Sequence, residues 1–183
     1  MKINPSLSGN ISRGLVQVFT GDGKGKTSAA VGTIVRALSH GLRVCAVLFL
    51  KGNFPSGEWS FLSSHPNIQI KRFGTGSFCN PSDIKPEDRA QALAALKCAE
   101  EAVFSGTYDL VVLDEINVAI GWQLIPLENV VKLIEGKPSN VELILTGRRA
   151  DPEIVKRADL VTEMLKIKHP FDAGIPAREG FEY

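Results

Sequence analysis

The stretch Phe19-Thr20-Gly21-Asp22-Gly23-Lys24-Gly25-Lys26-Thr27-Ser28 decides how this chain folds. A mostly apolar run, Leu15 to Phe19, leads into it, and a helical pattern carrying Val31, Ile34, Val35 and Leu38 on one face follows it. That order reads as strand, glycine-rich turn, helix. Gly21, Gly23 and Gly25 can take positive φ, so successive backbone N–H groups converge on one concave anion site at the positive end of the helix dipole. Phosphate oxygens are the natural occupant. In a Walker A loop the lysine, here Lys26, reaches phosphate oxygens and the hydroxyl, here Thr27, sits on a magnesium ion. The competing reading is a plain glycine turn with a solvated lysine.

The loop departs from the G-x-x-x-x-G-K-T pattern, which wants its first glycine where this chain has Thr20. Either Thr20 stands in for that glycine, or the loop begins at Gly21 and is one residue short.

Outward from the loop, the same alternation repeats. Gly14 to Thr20 is the first strand, and the helix after the loop ends near His40, with Gly41 as a left-handed cap. Val44 to Leu50 is a continuous apolar run, as in a parallel strand covered on both faces, and Lys51 emerges at its carboxyl end. A short helix over Glu58 to Ser63, a strand over Ile68 to Phe73 and a flexible loop from Gly74 to Pro81 come next. Pro86, Glu87 and Asp88 open a helix whose buried stripe is Ala92, Leu96, Ala99 and Val103. Leu110 to Leu113 is a fourth strand, delivering Asp114 and Glu115. A helix from Pro126 carries Leu127, Val130, Val131 and Ile134 and closes at Gly136; Val141 to Leu145 is a fifth strand ending at Thr146-Gly147-Arg148-Arg149. Asp151-Pro152 caps one more short helix, and Val161 to Ile167 alternates as an edge strand defended by lysines. The pattern predicts an open, mainly parallel α/β sheet with helices on both faces, its ligand loops gathered at the strand carboxyl ends.

Composition sets the limits. A chain of 183 residues, 44% hydrophobic and 22% charged, has material for one domain over 1–183, with residues 1–13 as a flexible polar arm. A formal net charge of +1 gives no general field for nucleic acid or for a membrane surface. The three cysteines, Cys45, Cys79 and Cys98, lack C-x-x-C spacing and fit a reduced, cytoplasmic setting. No apolar run reaches the length of a membrane span, and the amino-terminal segment is too polar for a signal peptide.

Val111-Val112-Leu113-Asp114-Glu115 has the form of a Walker B strand, with apolar residues to bury and carboxylates to present beside the phosphate loop. A cation between triphosphate oxygens requires hard oxygen ligands, which Thr27 with Asp114 or Glu115 could supply; alternatively Asp114 simply caps the next turn. Lys51, Arg148 and Arg149 lie at strand ends on the same edge, where they could hold phosphate or a carboxylate-bearing ligand, or stand as solvated charges. His40, His65 and His169 form no metal-ligand spacing, and no Ser-His-Asp or Cys-His nucleophile is marked, so the chemistry falls to a bound cofactor.

Taken together, FTGDGKGKTSAA, LFLKG, VVLDEI, the Leu-Thr-Gly-Arg turn, ADLVTEM and KHPFDAG resemble the P-loop type of ATP:corrinoid adenosyltransferase, in order, from about Val16 to Tyr183. The resemblance implies a P-loop NTPase fold of RecA-like type and transfer of the 5′-deoxyadenosyl group of ATP to the Co(I) centre of a corrinoid, releasing triphosphate. It implies Mg2+ or Mn2+, a homodimer, and a reductase or flavoprotein as electron donor, with no nucleic-acid or membrane partner. Gly21, Asp22, Gly23, Lys24, Gly25, Lys26, Thr27 and Ser28 fall on the triphosphate, Lys26 and Glu115 are the catalytic pair, and Thr27, Glu115 and the adjacent Asp114 are the metal site. Arg148 is a further phosphate contact. Gly74 to Cys79 matches the loop facing the corrinoid, where relatives carry two aromatic side chains and this chain has one, Phe78. Relatives bind ATP reversed with respect to ordinary P-loop enzymes, which gives a short loop its meaning.

Two other readings stand beside it. One is a P-loop ATPase or kinase cleaving at phosphorus, with Glu115 orienting water or an acceptor. The other is a nucleotide-switched binding protein whose moving part is the loop 74–81. No N-K-x-D guanine motif is present.

Overall fold

The computed structural model describes residues 11–52, 56–76 and 81–182. Six strands, β1 (Val16–Thr20), β2 (Val44–Leu48), β3 (Ile68–Arg72), β4 (Leu110–Asp114), β5 (Glu142–Thr146) and β6 (Leu160–Glu163), form one sheet in the order β3-β2-β4-β5-β1-β6. Every pairing is parallel, so the expected "mainly parallel" sheet is parallel throughout. All strand carboxyl ends therefore meet at one edge.

Side-chain alternation divides the interior into two layers. Val18, Val47, Val111, Leu113, Leu143 and Leu145 point to one face, where α3 (Pro86–Phe104), α4 (Ile116–Gly121), α5 (Leu127–Gly136) and α6 (Pro152–Arg157) cover them. Ala46, Leu48, Val112 and Ile144 point to the other, under α1 (Lys26–Ser39) and α2 (Gly57–Leu62). Strands β2 and β4 are buried along their whole length, as their unbroken apolar runs require. The α/β fold of P-loop NTPase type is thus the one observed, with β5 between the phosphate-loop strand β1 and the carboxylate strand β4.

Several local expectations need adjusting. The buried stripe of α1 is Ala30, Ile34, Ala37 and Leu38, with Val31 partly buried against the same layer, whereas Val35 is half exposed. The edge strand stops at Glu163: Met164 donates its N–H to the Thr20 carbonyl at 2.8 Å and accepts from Gly23 N–H at 2.7 Å, so the chain leaves the sheet to brace the phosphate loop. Leu165 and Ile167 consequently lie beyond the strand. Helix α4 and a short 3-10 turn, Pro170–Ala173, were not anticipated, since six and four residues are too few to display a period. The stripe of α3 and the Asp151 cap, which accepts from Glu153 N–H at 2.8 Å, are as expected. Most of the amino-terminal arm lies outside the described residues, as do Ser77, Phe78, Cys79 and Asn80.

Candidate nucleotide and metal site

Thr20 is the last residue of β1, nearly buried, and its hydroxyl accepts from Ala150 N–H at 3.0 Å. The turn begins at Gly21, with φ 95°, and ends at Gly25, with φ 121°. The loop is therefore the short form, and Thr20 belongs to the sheet. A side chain is excluded inside the turn as well: a Cβ on Gly23 would lie 2.6 Å from the Leu165 carbonyl oxygen.

Lys26 opens α1 and is 7% exposed. Its ammonium donates to the carbonyls of Gly21 and Gly23, each at 2.7 Å, which holds the loop's peptide planes with their N–H groups turned the other way. Burial lowers its pKa, opposed by Glu115 and helped by Arg148.

Behind the loop lies a compact polar network. Asp114, fully buried, accepts at Oδ1 from the Thr27 hydroxyl at 3.0 Å and from the Thr146 hydroxyl at 2.7 Å. Thr146 accepts in turn from Glu115 N–H at 3.0 Å. The other oxygen, Oδ2, is paired with the Lys51 ammonium at 2.7 Å. For Lys51, burial works downward, yet the Asp114 charge and the charges of Glu115 and Glu58 outweigh it and the pKa is raised. Glu115 adopts a left-handed backbone, φ 65°, at the turn into α4; burial and the neighbouring Asp114 push its carboxyl above the ordinary range. Asp114 does not cap α4, because all its contacts go to other elements.

The donor set suits a hard divalent cation. Thr27 Oγ1 meets Asp114 Oδ1, and Glu115 lines the same cleft as Thr27. Among the described residues no group of three or more His, Cys, Asp or Glu converges.

A cleft of about 770 Å³ opens over this network. Asp22, Gly23, Lys24, Gly25, Lys26, Thr27 and Ser28 form its floor with Glu115 and Arg148, so every residue expected on the triphosphate except Gly21 lines one cavity. Gly21 sits just beneath, against Met164. Arg149, left-handed at φ 54°, points instead into a separate cavity of about 550 Å³ beside α3 and α4, apart from the phosphate loop. Phe78 lies outside the described residues.

Sequence reasoning missed the outer wall. Phe61, His169, Phe181 and Glu182 line the cleft opposite the loop. Lys24 Nζ donates to the Phe181 carbonyl at 2.6 Å and to Glu182 Oε1 at 2.8 Å, while Arg178 pairs with Glu182 at 3.1 Å and lies over the Phe181 ring at 5.0 Å. These two cations hold the Glu182 carboxyl down at about 2. No periodicity marks the segment; the only available signal was the opposite charge of Lys24 and Glu182, which lie far apart in the chain. Thr146 was also missed as a bridge, although the turn that contains it was singled out.

The comparisons agree with this geometry. The sequence profile of the ATP:corrinoid adenosyltransferase BtuR/CobO/CobP family matches residues 12–183. The corrinoid adenosyltransferase CobA of Salmonella typhimurium is 37% identical over 171 residues, covering 93% of this chain and 86% of the relative. A corrinoid adenosyltransferase of Escherichia coli matches with the same identity and coverage, and one of Pseudomonas aeruginosa is 39% identical over 93% of this chain and 84% of its own. With a phosphate loop, carboxylate pair and Leu-Thr-Gly-Arg turn assembled around one cleft, and relatives of this similarity along nearly the whole length, the chain belongs to the ATP:corrinoid adenosyltransferase family.

Proposed function

We propose that the protein transfers the 5′-deoxyadenosyl group of ATP to the Co(I) centre of a corrinoid and releases triphosphate, acting as one cytoplasmic domain that assembles as a homodimer. The observation that carries this reading is the short phosphate cradle, Gly21 to Gly25, backed by the buried Asp114 network, in a chain of this family. A reduced cobalt centre is its own nucleophile, so the protein needs no base to remove a proton; it needs position and charge. Backbone N–H groups of the loop and Lys26 hold the triphosphate. Lys24, Ser28 and Arg148 add contacts along the same floor, and Asp22 and Gly23 shape it. Thr27 and Glu115, with Asp114 behind them, would hold Mg2+ or Mn2+, which supplies charge neutralisation on the leaving triphosphate. Arg148 and Lys26 share that task, since negative charge grows on the phosphate chain as the carbon–oxygen bond breaks.

The resemblance assigns the loop that begins at Gly74 to the corrinoid, with Phe78 as its one aromatic residue. A reductase or flavoprotein delivers the electron that yields Co(I). Strand β6, exposed along all four residues at the sheet edge, supports assembly of two copies. No described helix is long and apolar enough to cross a membrane.

An anaerobic assay with ATP, Mg2+ and chemically reduced Co(I) corrinoid tests the reading. The expected outcome is a light-sensitive cobalt–carbon bond with inorganic triphosphate. Release of phosphate and ADP, without need of corrinoid, would instead identify an ATPase.

A further inference from the structure

We infer that Lys51 is a positioning residue for this reaction, and that its turn, Leu50-Lys51-Gly52, ties the carboxylate network to the Gly74–Gly76 loop. The turn is unusual for its backbone. Leu50 has φ 62°, a left-handed conformation that a leucine adopts only when its surroundings impose it. Two restraints impose it. Lys51 N–H and Gly52 N–H both donate to the Phe73 carbonyl, at 3.1 and 3.2 Å. Phe49 N–H donates to the Asp114 carbonyl at 2.9 Å, so the segment entering the turn is fixed to the carboxylate strand.

From this frame the Lys51 side chain runs into the nucleotide cleft and meets Asp114 Oδ2 at 2.7 Å. The same carboxylate orients the Thr27 hydroxyl through its other oxygen. Lys51 thus neutralises the one fully buried charge of the network and fixes the direction in which Asp114 presents its oxygens. It also lends positive charge to the cleft floor.

On its other side the turn touches backbone directly. A Cβ on Gly52 would lie 2.5 Å from Gly76 N, and a Cβ on Gly74 would lie 2.6 Å from Gly52 N. Only glycines permit this approach, and a main-chain contact cannot yield as a flexible side chain does. The far side of the loop is anchored to α3, where Gly74 N–H donates to Gln91 Oε1 at 3.3 Å and Thr75 Oγ1 donates to Asp88 Oδ1 at 2.8 Å. Gly74–Gly76 is therefore clamped between the first turns of a long helix and the turn that carries Lys51. Its position follows the nucleotide site. The inference rests on the proposed assignment of this loop to the corrinoid side; the pairing of Lys51 with the nucleotide does not depend on it.

The test uses the full-length enzyme with Lys51→Met, Lys51→Arg, Gly52→Ala and the Lys51→Met/Gly52→Ala double variant. Mg–ATP affinity is read by calorimetry, KM is measured separately for ATP and Co(I) corrinoid, and folding is checked by thermal melting. Lys51→Met is expected to weaken Mg–ATP binding about tenfold, with substantial recovery in Lys51→Arg. Gly52→Ala is expected to raise the corrinoid KM at least about fivefold while Mg–ATP affinity stays within about twofold; Lys51→Met is expected to raise the corrinoid KM as well, and the double variant to fall short of the product of the two effects on that KM. Should Gly52→Ala not fold, Gln91→Leu loosens the same loop from its helix side and is expected to raise the corrinoid KM alone. Unchanged Mg–ATP affinity in Lys51→Met overturns the positioning role. Equal shifts of both KM values in Gly52→Ala or Gln91→Leu, or strict additivity in the double variant, overturn the tie to the loop. If the wild-type enzyme forms no cobalt–carbon bond, the proposed function fails, while the calorimetric comparison of Lys51 variants still decides the nucleotide half.

Discussion

Lys24 and Lys26 stand two residues apart in one loop and belong to two different walls of the cleft. Lys26 is buried and bound to its own loop's carbonyls, next to a network in which Thr27, Asp114, Thr146 and Glu115 are locked by the sheet. Lys24 is half exposed and pairs with Glu182, on a tail segment braced by Arg178. The inner wall is pinned by parallel strands in fixed register; the outer wall is a set of surface ion pairs, each worth little on its own. Chemistry that depends on placement to within fractions of an ångström belongs on the first, and access belongs on the second.

Substitution across the two walls gives the largest contrast. Lys26→Ala is expected to cost about 3 kcal/mol or more in barrier height, as loss of an oxyanion donor does, whereas Lys24→Ala should change kcat less than about tenfold. Single-turnover rates with preformed Co(I) corrinoid decide it, and comparable losses in both would erase the distinction between walls. Next comes Asp114→Asn, which keeps an acceptor for the two hydroxyls but leaves Lys51 without its counter-charge. Because Lys51 is partly solvated, the expected loss is about 2 kcal/mol of folding stability, with a weaker response to added Mg2+, both visible in melting curves.

A smaller effect concerns the tail. Glu182 is held at about 2 from an ordinary 4.5, so its contribution is complete above the ordinary value and is lost as the pH falls toward 2. Protection of the amides at residues 178–182, taken relative to their intrinsic exchange rates at each pH, should therefore fall over that acid window, and Glu182→Gln should abolish the dependence. The smallest expected effect is in the core. Burial pushes the Cys45 thiol up to about 12, so alkylation at mildly basic pH should leave it untouched in the native protein and reach it only on unfolding.

The inner wall was largely legible in the sequence, and for a physical reason. Glycines at 21, 23 and 25 restrict what the backbone there is suited to do, and an apolar run such as Val111-Val112-Leu113 followed by two acids can satisfy burial only as an interior strand with its carboxylates at the end. Those are local signals. The hydroxyl of Thr146 on Asp114 was not legible, because it depends on β5 falling between β1 and β4, a matter of strand order. Lys51 was singled out at a strand end as a ligand contact or a solvated charge, and its pairing with Asp114 follows from the left-handed Leu50 turn, which no leucine announces. The outer wall was the least visible: Lys24 and Glu182 meet only because the chain leaves the sheet at Met164 and crosses the loop. Val35 misled in the other direction, since its spacing fits the stripe of α1 while the residue itself is half exposed.

The left-handed backbone of Glu115 has a practical corollary for anyone evolving this protein in the laboratory. A glycine at that position would relieve roughly 1 kcal/mol of conformational cost, so a library screened only for heat tolerance would tend to enrich Glu115→Gly. With Glu115 serving the cation as proposed, such a clone would be sturdier and inert, durability and turnover being in conflict at this one residue.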